Sequence, residues 1–164
     1  MRIIENVKIA LDTYKMVLQP TGPESKKLKI LVPGQFINIK IEGFYLRRPI
    51  SIADWNDESL TIIYKVVGKG TKALSEMEQG IELDILWPLG NGYNLTWIPH
   101  SAILIGGGVG VPPMYGLAKK LVEEGKIPRI ILGFREKNQV FYDDEFRKLG
   151  LEVKVYTEDG SYGE

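Results

Sequence analysis

Arg48-Pro49-Ile50-Ser51, within Tyr45-Leu46-Arg47-Arg48-Pro49-Ile50-Ser51-Ile52, brings a permanently charged guanidinium, a φ-restricting proline and a small hydroxyl to the mouth of an apolar strand. A guanidinium offers paired donors to a phosphate, and the stiffened backbone beside it makes a wall, so the group suits an anionic, partly aromatic ligand. The same residues also fit an edge strand that begins at a proline beside a solvated arginine pair. Two glycine-rich turns could add to such a site. Gly68-Lys69-Gly70-Thr71 lies between a strand pattern and a helix start, where glycines let the backbone approach a phosphate and Thr71 donates to it. It equally fits a plain β-to-α turn with Thr71 as N-cap. Gly106-Gly107-Gly108-Val109-Gly110 has the context of a dinucleotide-binding turn, a buried strand before it and an amphipathic helix after it. It departs from G-x-G-x-x-G, because Val111 takes the third glycine position and Pro112-Pro113 follows; a tight structural turn is the alternative.

The elements that must position these residues change character once along the chain. Val7 to Leu11, Tyr14 to Leu18, Leu28 to Val32, Phe36 to Ile41, Ser59 to Val67 and Glu82 to Leu86 read as short strands, broken by Pro20-Thr21-Gly22-Pro23, Pro33-Gly34 and Pro88-Leu89-Gly90-Asn91-Gly92. A short helical run leads from Gly68 through Met77. Closely spaced strands with such turns predict a small antiparallel β-barrel over 1–98. After Pro99, the continuous apolar run Ala102 to Ile105 predicts a parallel strand buried on both faces. Met114, Leu117, Ala118, Leu121 and Val122 then fall on one helical face, Gly125 closes that helix, and Arg129 to Phe134 makes the next strand of a βαβ unit. Asp143 to Leu149 and Leu151 to Thr157 repeat the helix and strand. Residues 99–164 thus read as a parallel-sheet α/β domain. It looks truncated, with an open sheet edge and a tail, Asp159 to Glu164, that resembles a loop leading to a further helix.

Composition narrows the chemistry. Among 164 residues, 21 Lys and Arg balance 21 Asp and Glu, and there is no basic stripe, so neither nucleic acid nor an anionic membrane is an expected partner. The first residues lack the pattern of a signal peptide and no apolar stretch reaches spanning length, which predicts a cytoplasmic protein. With no cysteine and one histidine, the chain offers no thiolate and no cysteine-ligated metal site. Redox or group-transfer chemistry would have to come from an organic cofactor or a partner.

The ordered succession Arg48-Pro49-Ile50-Ser51, Ile63-Tyr64-Lys65, Gly70-Thr71, Pro88-Leu89-Gly90-Asn91-Gly92 and Gly106 to Pro113 resembles the ferredoxin-NADP reductase superfamily. Arg47-Arg48-Pro49-Ile50-Ser51-Ile52, Pro88-Leu89-Gly90-Asn91-Gly92 and Glu158-Asp159-Gly160-Ser161 together narrow the resemblance to the electron-transfer subunits of class 1B dihydroorotate dehydrogenases. It covers essentially the whole chain. The resemblance implies a flavin-binding barrel followed by a nucleotide-binding domain. Arg48 would bind the FAD pyrophosphate, Pro49 and Ile50 would shape the wall, and Ser51 would lie near the redox-active edge. Ile63, Tyr64 and Lys65 would line the next strand, and Gly70 with Thr71 would hold the diphosphate. Gly106, Gly107, Gly108, Val109 and Gly110 would receive the pyrophosphate of NADH, and the Glu158 to Ser161 loop would approach the nucleotide from the far side. Glu136 would take a ribose hydroxyl of NAD, or Arg135 a 2′-phosphate of NADP.

In such a family NADH reduces FAD, and electrons pass through a 2Fe-2S cluster to an FMN-containing catalytic subunit that oxidises dihydroorotate in pyrimidine biosynthesis. The absence of cysteine departs from that pattern, since the cluster has no ligands here, and Trp87 replaces the glycine expected before Pro88-Leu89-Gly90, which would alter packing near the flavin. His100 reads as a surface residue of the linker. Two further readings stay open: a stand-alone flavin or ferredoxin reductase of the same superfamily, and a non-enzymatic interaction module that has lost its cofactor.

Overall fold

The hairpin of β1 (Arg2–Ala10) and β2 (Thr13–Gln19) opens a computed structural model that describes all residues, 1–164. Its turn is made by Asp12 at φ 52 and steadied by Thr13, whose hydroxyl donates to the Leu11 carbonyl. Four more strands, β3 (Phe36–Ile39), β4 (Arg48–Trp55), β5 (Leu60–Lys65) and β6 (Ile85–Leu89), complete a sheet of order β1-β2-β5-β4-β3-β6 in which each strand runs antiparallel to its neighbours. The two ends of that order meet. Ile3 N–H donates to Ile81 O at 2.9 Å and Gly80 N–H to Ile3 O at 2.8 Å, while Leu83 N–H reaches Met1 O at 2.7 Å, so the sheet closes on itself as expected of a barrel.

Two expected boundaries shift. Residues 2–6 are strand through their pairing with Met16 to Gln19 of β2, and β6 starts at Ile85 instead of Glu82 because 81–83 bond to Met1 to Ile3. Leu28 to Val32 is not a strand. Gly22–Ile30 is a 3-10 segment with Pro23 at its start; Leu28 is its buried residue, and Leu31, buried just past its end, is already extended. Trp87 packs in the barrel core, with its indole N–H on Glu24 at 3.2 Å, so its effect is on the barrel wall.

A second, parallel sheet holds β7 (Ile103–Gly107), β8 (Arg129–Phe134) and β9 (Val153–Thr157) in that order. α2 (Val111–Glu123) and α3 (Asp143–Lys148) make the two crossovers. Strands added successively in one direction by right-handed crossovers receive their helices on one face. Leu104, Ile130, Leu132, Phe134 and Val155 accordingly share one core with Leu117, Leu121 and Phe146. The other face is uncovered: Ile103 is 54% and Ile105 is 69% exposed, which corrects the expectation that β7 is buried on both sides.

The sheets are joined through β4 and β5. Ile52, Ile62 and Tyr64 point into the barrel core, whereas Ala53 and Ile63 belong to the core beneath α2. Gly116 brings α2 against β4, and a side chain there would meet the Ala53 carbonyl at 2.8 Å. Lys119 adds an ion pair to Asp54 at 2.7 Å, and the Lys120 ammonium lies 5.5 Å from the Trp55 ring centroid. α1 (Lys69–Ser75) follows β5 and buries Leu74 in the barrel.

Candidate functional site

The pairing of β4 with β5 runs from Trp55↔Leu60 to Ile52↔Ile62 and stops there. The remaining half of β4, Arg48 to Ser51, pairs only with β3, in a register that sets Pro49 opposite Asn38. Pro49 has no N–H to continue a ladder, and an edge-like half-strand is where such a residue is tolerated. A cavity of about 320 Å³ fills the splay, lined on one side by Arg48, Pro49, Ile50 and Ser51 and on the other by Ile63, Tyr64 and Lys65. Val67, Thr71 and Val109 complete it. The two stretches singled out in the sequence therefore face each other across the gap between two neighbouring strands.

The neighbouring arginines differ in what they do. Arg47 is committed: its guanidinium bonds Asp84 Oδ2 at 2.9 Å and the carbonyls of Asp84 and Asn38 at 3.1 and 3.3 Å, and it holds the Asp84 carboxyl below its usual range. Arg48 has no carboxylate partner. Its side chain donates only to the carbonyls of Leu46 and Arg47, its Cζ lies 5.2 Å from the Phe44 ring centroid, and it rests on Gly70. A β carbon at Gly70 would lie 2.5 Å from two guanidinium nitrogens, so any side chain there would displace the guanidinium from this seat. A cation without a carboxylate partner, placed near a ring and a glycine backbone beside a cavity, is equipped to receive an anion.

Thr71 has a different part from the one expected. Gly68 is the N-cap of α1, and the Thr71 hydroxyl, at the third helical position, accepts from Val67 N–H at 3.0 Å and Gly68 N–H at 3.3 Å and donates to Gly68 O at 3.2 Å. It borders the cavity with its hydroxyl engaged in the turn. Ile63 borders the cavity too, although it is buried in the core under α2. Tyr64 stacks on Tyr14 and donates from its phenol to Asn6 at 2.9 Å; burial pushes that phenol up, with the Asn6 bond acting in the opposite sense.

A second cleft of about 620 Å³ adjoins the first, with Lys65 and Val67 common to both. It lies at the carboxyl ends of the parallel strands, where Gly107 ends β7 and Gly108 follows it, Gly133, Phe134 and Arg135 end β8, and Tyr156, Thr157 and Glu158 end β9. That is where open α/β sheets accept ligands. The five residues of the glycine turn divide their work. Gly107 and Gly108 (φ 49) face this cleft, and Val109 faces the first cavity. Gly106 lies against α2, since a β carbon there would be 3.0 Å from Val111 Cα, and Gly110 caps α2. Val111 is fully buried, which explains why no glycine stands in the third position.

Other expectations are not brought to the clefts. Glu136 accepts from Gln139 at 3.3 Å and lines a separate shallow site with Asp159 and Ser161, so the carboxylate in the cleft is that of Glu158. Pro88 to Gly92 packs on the turn at Val32 to Gln35. His100 is exposed. Gly133 was not anticipated as a cleft residue; its signal was an isolated glycine within an apolar strand, in register with Gly107. No helix is long and apolar enough to cross a membrane, and no group of His, Cys, Asp or Glu is arranged to hold a metal ion.

A closed antiparallel barrel joined to a parallel α/β sheet is a ferredoxin-NADP reductase-like fold, and solved reductases of that fold match the chain. Within that class it is homologous over nearly its whole length to electron transfer subunits of dihydroorotate dehydrogenase B (NAD(+)). It is 48% identical over 166 residues to the subunit from Fusobacterium nucleatum subsp. nucleatum and 42% identical over 168 residues to that from Bacillus pumilus. These alignments take in 97% and 98% of this chain but 62% and 63% of those relatives. Among solved structures, the NADH-dependent reduced ferredoxin-NADP oxidoreductase matches with a TM-score of 0.85 and 33% identity, covering 99% of this chain and 58% of that one. Phthalate dioxygenase reductase, described as transferring electrons from pyridine nucleotides to [2Fe-2S], shares the fold with a TM-score of 0.80 at 22% identity, over 97% of this chain and 51% of that one. No family model matches the chain.

Proposed function

We propose that the chain is the FAD- and NADH-binding part of an electron-transfer subunit that serves a dihydroorotate dehydrogenase catalytic subunit containing FMN, in the cytoplasm. Residues 1–98 would form the flavin domain and 99–164 the nucleotide domain. The observation that carries this reading is Arg48: a guanidinium without a carboxylate, seated on Gly70 and Phe44 at the mouth of a cavity that opens into the cleft of the glycine turn. The names of the relatives support the choice of partner.

FAD, when bound, supplies the hydride acceptor and the passage from two-electron to one-electron chemistry. Arg48 would hold its pyrophosphate, with the backbone of Gly70 and Thr71 alongside. Pro49, Ile50 and Ser51 would form one wall of the ring site, and Ile63, Tyr64 and Lys65 the other. The β5 edge facing β4 beyond Ile62 has no strand partner, so its backbone groups are available to a polar ring edge. Gly107 and Gly108 would let the pyrophosphate of NADH approach the backbone, with Val109 between the two ligands; Gly106 and Gly110 would serve the same turn by holding α2. No side chain needs to act as a general acid for hydride transfer between the two ligands. The residues do not fit a 2Fe-2S cluster, since the chain has no cysteine, and any such cluster in the working assembly would take its ligands from elsewhere.

The visible spectrum of the purified chain, with the chromophore released on denaturation, tests the reading. One FAD per chain is expected, with retention lost in Arg48→Ala while the fold is kept. A colourless protein that refuses added FAD would refute it and favour the interaction-module alternative. Co-purification with an FMN-containing subunit would separate this role from that of a stand-alone reductase.

A further inference from the structure

Three hydrogen bonds from three elements converge on one side chain outside both clefts. Asn6, on β1, donates from Nδ2 to the carbonyl of Leu74 at 3.0 Å and to that of Met77 at 2.9 Å, at the end of α1. Its Oδ1 accepts from the Tyr64 hydroxyl, on β5, at 2.9 Å. Both amide protons are used, so the orientation of the side chain is fixed by its partners.

α1 has seven residues, too few to hold its position by its own hydrogen bonds. Leu74 is buried in the barrel with Ala73 and Met77 packed against the same core, and Asn6 adds a donor to the carbonyl of Leu74, which also accepts from Met77 N–H, and to that of Met77 just past the helix. One turn earlier, Gly70 carries the Arg48 guanidinium on its backbone with no room to spare. A shift of α1 therefore moves the seat of the one unpaired arginine at the cavity. Tyr64 is part of the opposite wall.

We propose that Asn6 is a positioning residue for the flavin cavity: it ties the Gly70 seat of Arg48 to the Tyr64 wall and fixes the distance between them without touching the ligand. The inference rests on the flavin reading above. Three variants of the full chain separate its parts. Asn6→Leu removes all three bonds, Asn6→Asp keeps the acceptor for Tyr64 but removes both donors to α1, and Tyr64→Phe removes only the phenol bond. Amide hydrogen exchange without ligand reads the anchoring, and FAD fluorescence quenching well below the melting temperature reads the cavity.

Asn6→Leu and Asn6→Asp are expected to speed exchange across residues 69–77 and to weaken FAD binding about tenfold, the equivalent of one to two lost hydrogen bonds. Tyr64→Phe is expected to leave exchange at 69–77 unchanged. If Asn6→Leu does not fold, Asn6→Asp alone carries the comparison. Unchanged exchange in that segment, or lowered melting temperature with unchanged FAD affinity, would overturn the proposal. Failure of the wild-type chain to take up FAD would instead overturn the flavin reading, and it is told apart because the exchange comparison needs no ligand.

Discussion

Gly116→Ala sets two effects of opposite sign against each other at the joint between the sheets. In an open helix interior, replacing glycine by alanine stabilises by about 1 kcal/mol, because alanine loses less backbone freedom on folding. Here the new β carbon would lie 2.8 Å from the Ala53 carbonyl oxygen and 3.4 Å from Trp55 Cζ3. The carbonyl belongs to a strand held between β3 and β5, so it cannot rotate aside as a side chain would. α2 must instead lift by roughly half an ångström, breaking close packing over Ala53, Ile63, Leu117 and Leu121, and overpacking of this kind costs about 1–3 kcal/mol. The strain outweighs the propensity, and we expect a net loss of about 1 kcal/mol, with a larger loss for Gly116→Val. Urea unfolding at constant slope measures it. Gly133→Ala is the control, since a β carbon there meets nothing within 4 Å. A Gly116→Ala protein as stable as the parent, or more so, would refute the tight α2–β4 contact and the fixed separation of the two clefts that follows from it.

Gly70→Ala should reproduce the FAD loss of Arg48→Ala with Arg48 still in place, because the methyl takes the space of the guanidinium; unaltered FAD retention would show that the seat is dispensable. A double-mutant cycle on Asp54→Asn and Lys119→Met should give a coupling of about 0.5–1 kcal/mol, the upper part of the range for a pair that water still reaches, and none at all would remove the pair from the joint. Burial raises the phenols of Tyr64 and Tyr142, so a tyrosinate absorbance titration should show groups ionising after the ordinary ones near pH 10. The folded state holds those protons more tightly than the unfolded chain, so their stabilisation is complete below the unfolded value of about 10 and is lost as pH rises toward the folded value. A single titration step for all tyrosines would contradict their burial.

Much of the fold was legible because its signals are local. The period-two pattern of Phe36 to Ile39, the glycine turn after β7 and the helical stripe of α2 each depend on residues close in sequence. The failures are non-local. Leu28 to Val32 has strand-like composition, but Leu28 to Ile30 belong to a 3-10 segment that starts at Gly22-Pro23 and only Leu31 and Val32 follow it. β7 reads as a doubly buried run, yet which face is covered depends on where two later crossovers put their helices. The sequence singles out Arg48 but does not say what occupies Arg47. Asp84, 37 residues beyond Arg47, separates them, and only the register of β3 with β6 brings it near.

The cavity itself follows from a ladder that stops. β4 and β5 are paired as far as Ile52↔Ile62, and one further step would place backbone donors and acceptors of Ser51 and Ile63 within reach of each other. Ser51 and Ile50 are already unpaired with β5, and Pro49 beyond them lacks the donor to resume the ladder, while Arg48 rests on Gly70 of α1. The unpaired edges must then find other partners, water in the free protein or a ligand with polar groups along one edge. A proline that is tolerated at an edge strand and a residue that shapes a ligand wall are therefore the same residue in the same state. The two readings of Arg48-Pro49-Ile50-Ser51 were never exclusive: the half-strand is an edge, and being an edge is what makes room for the site.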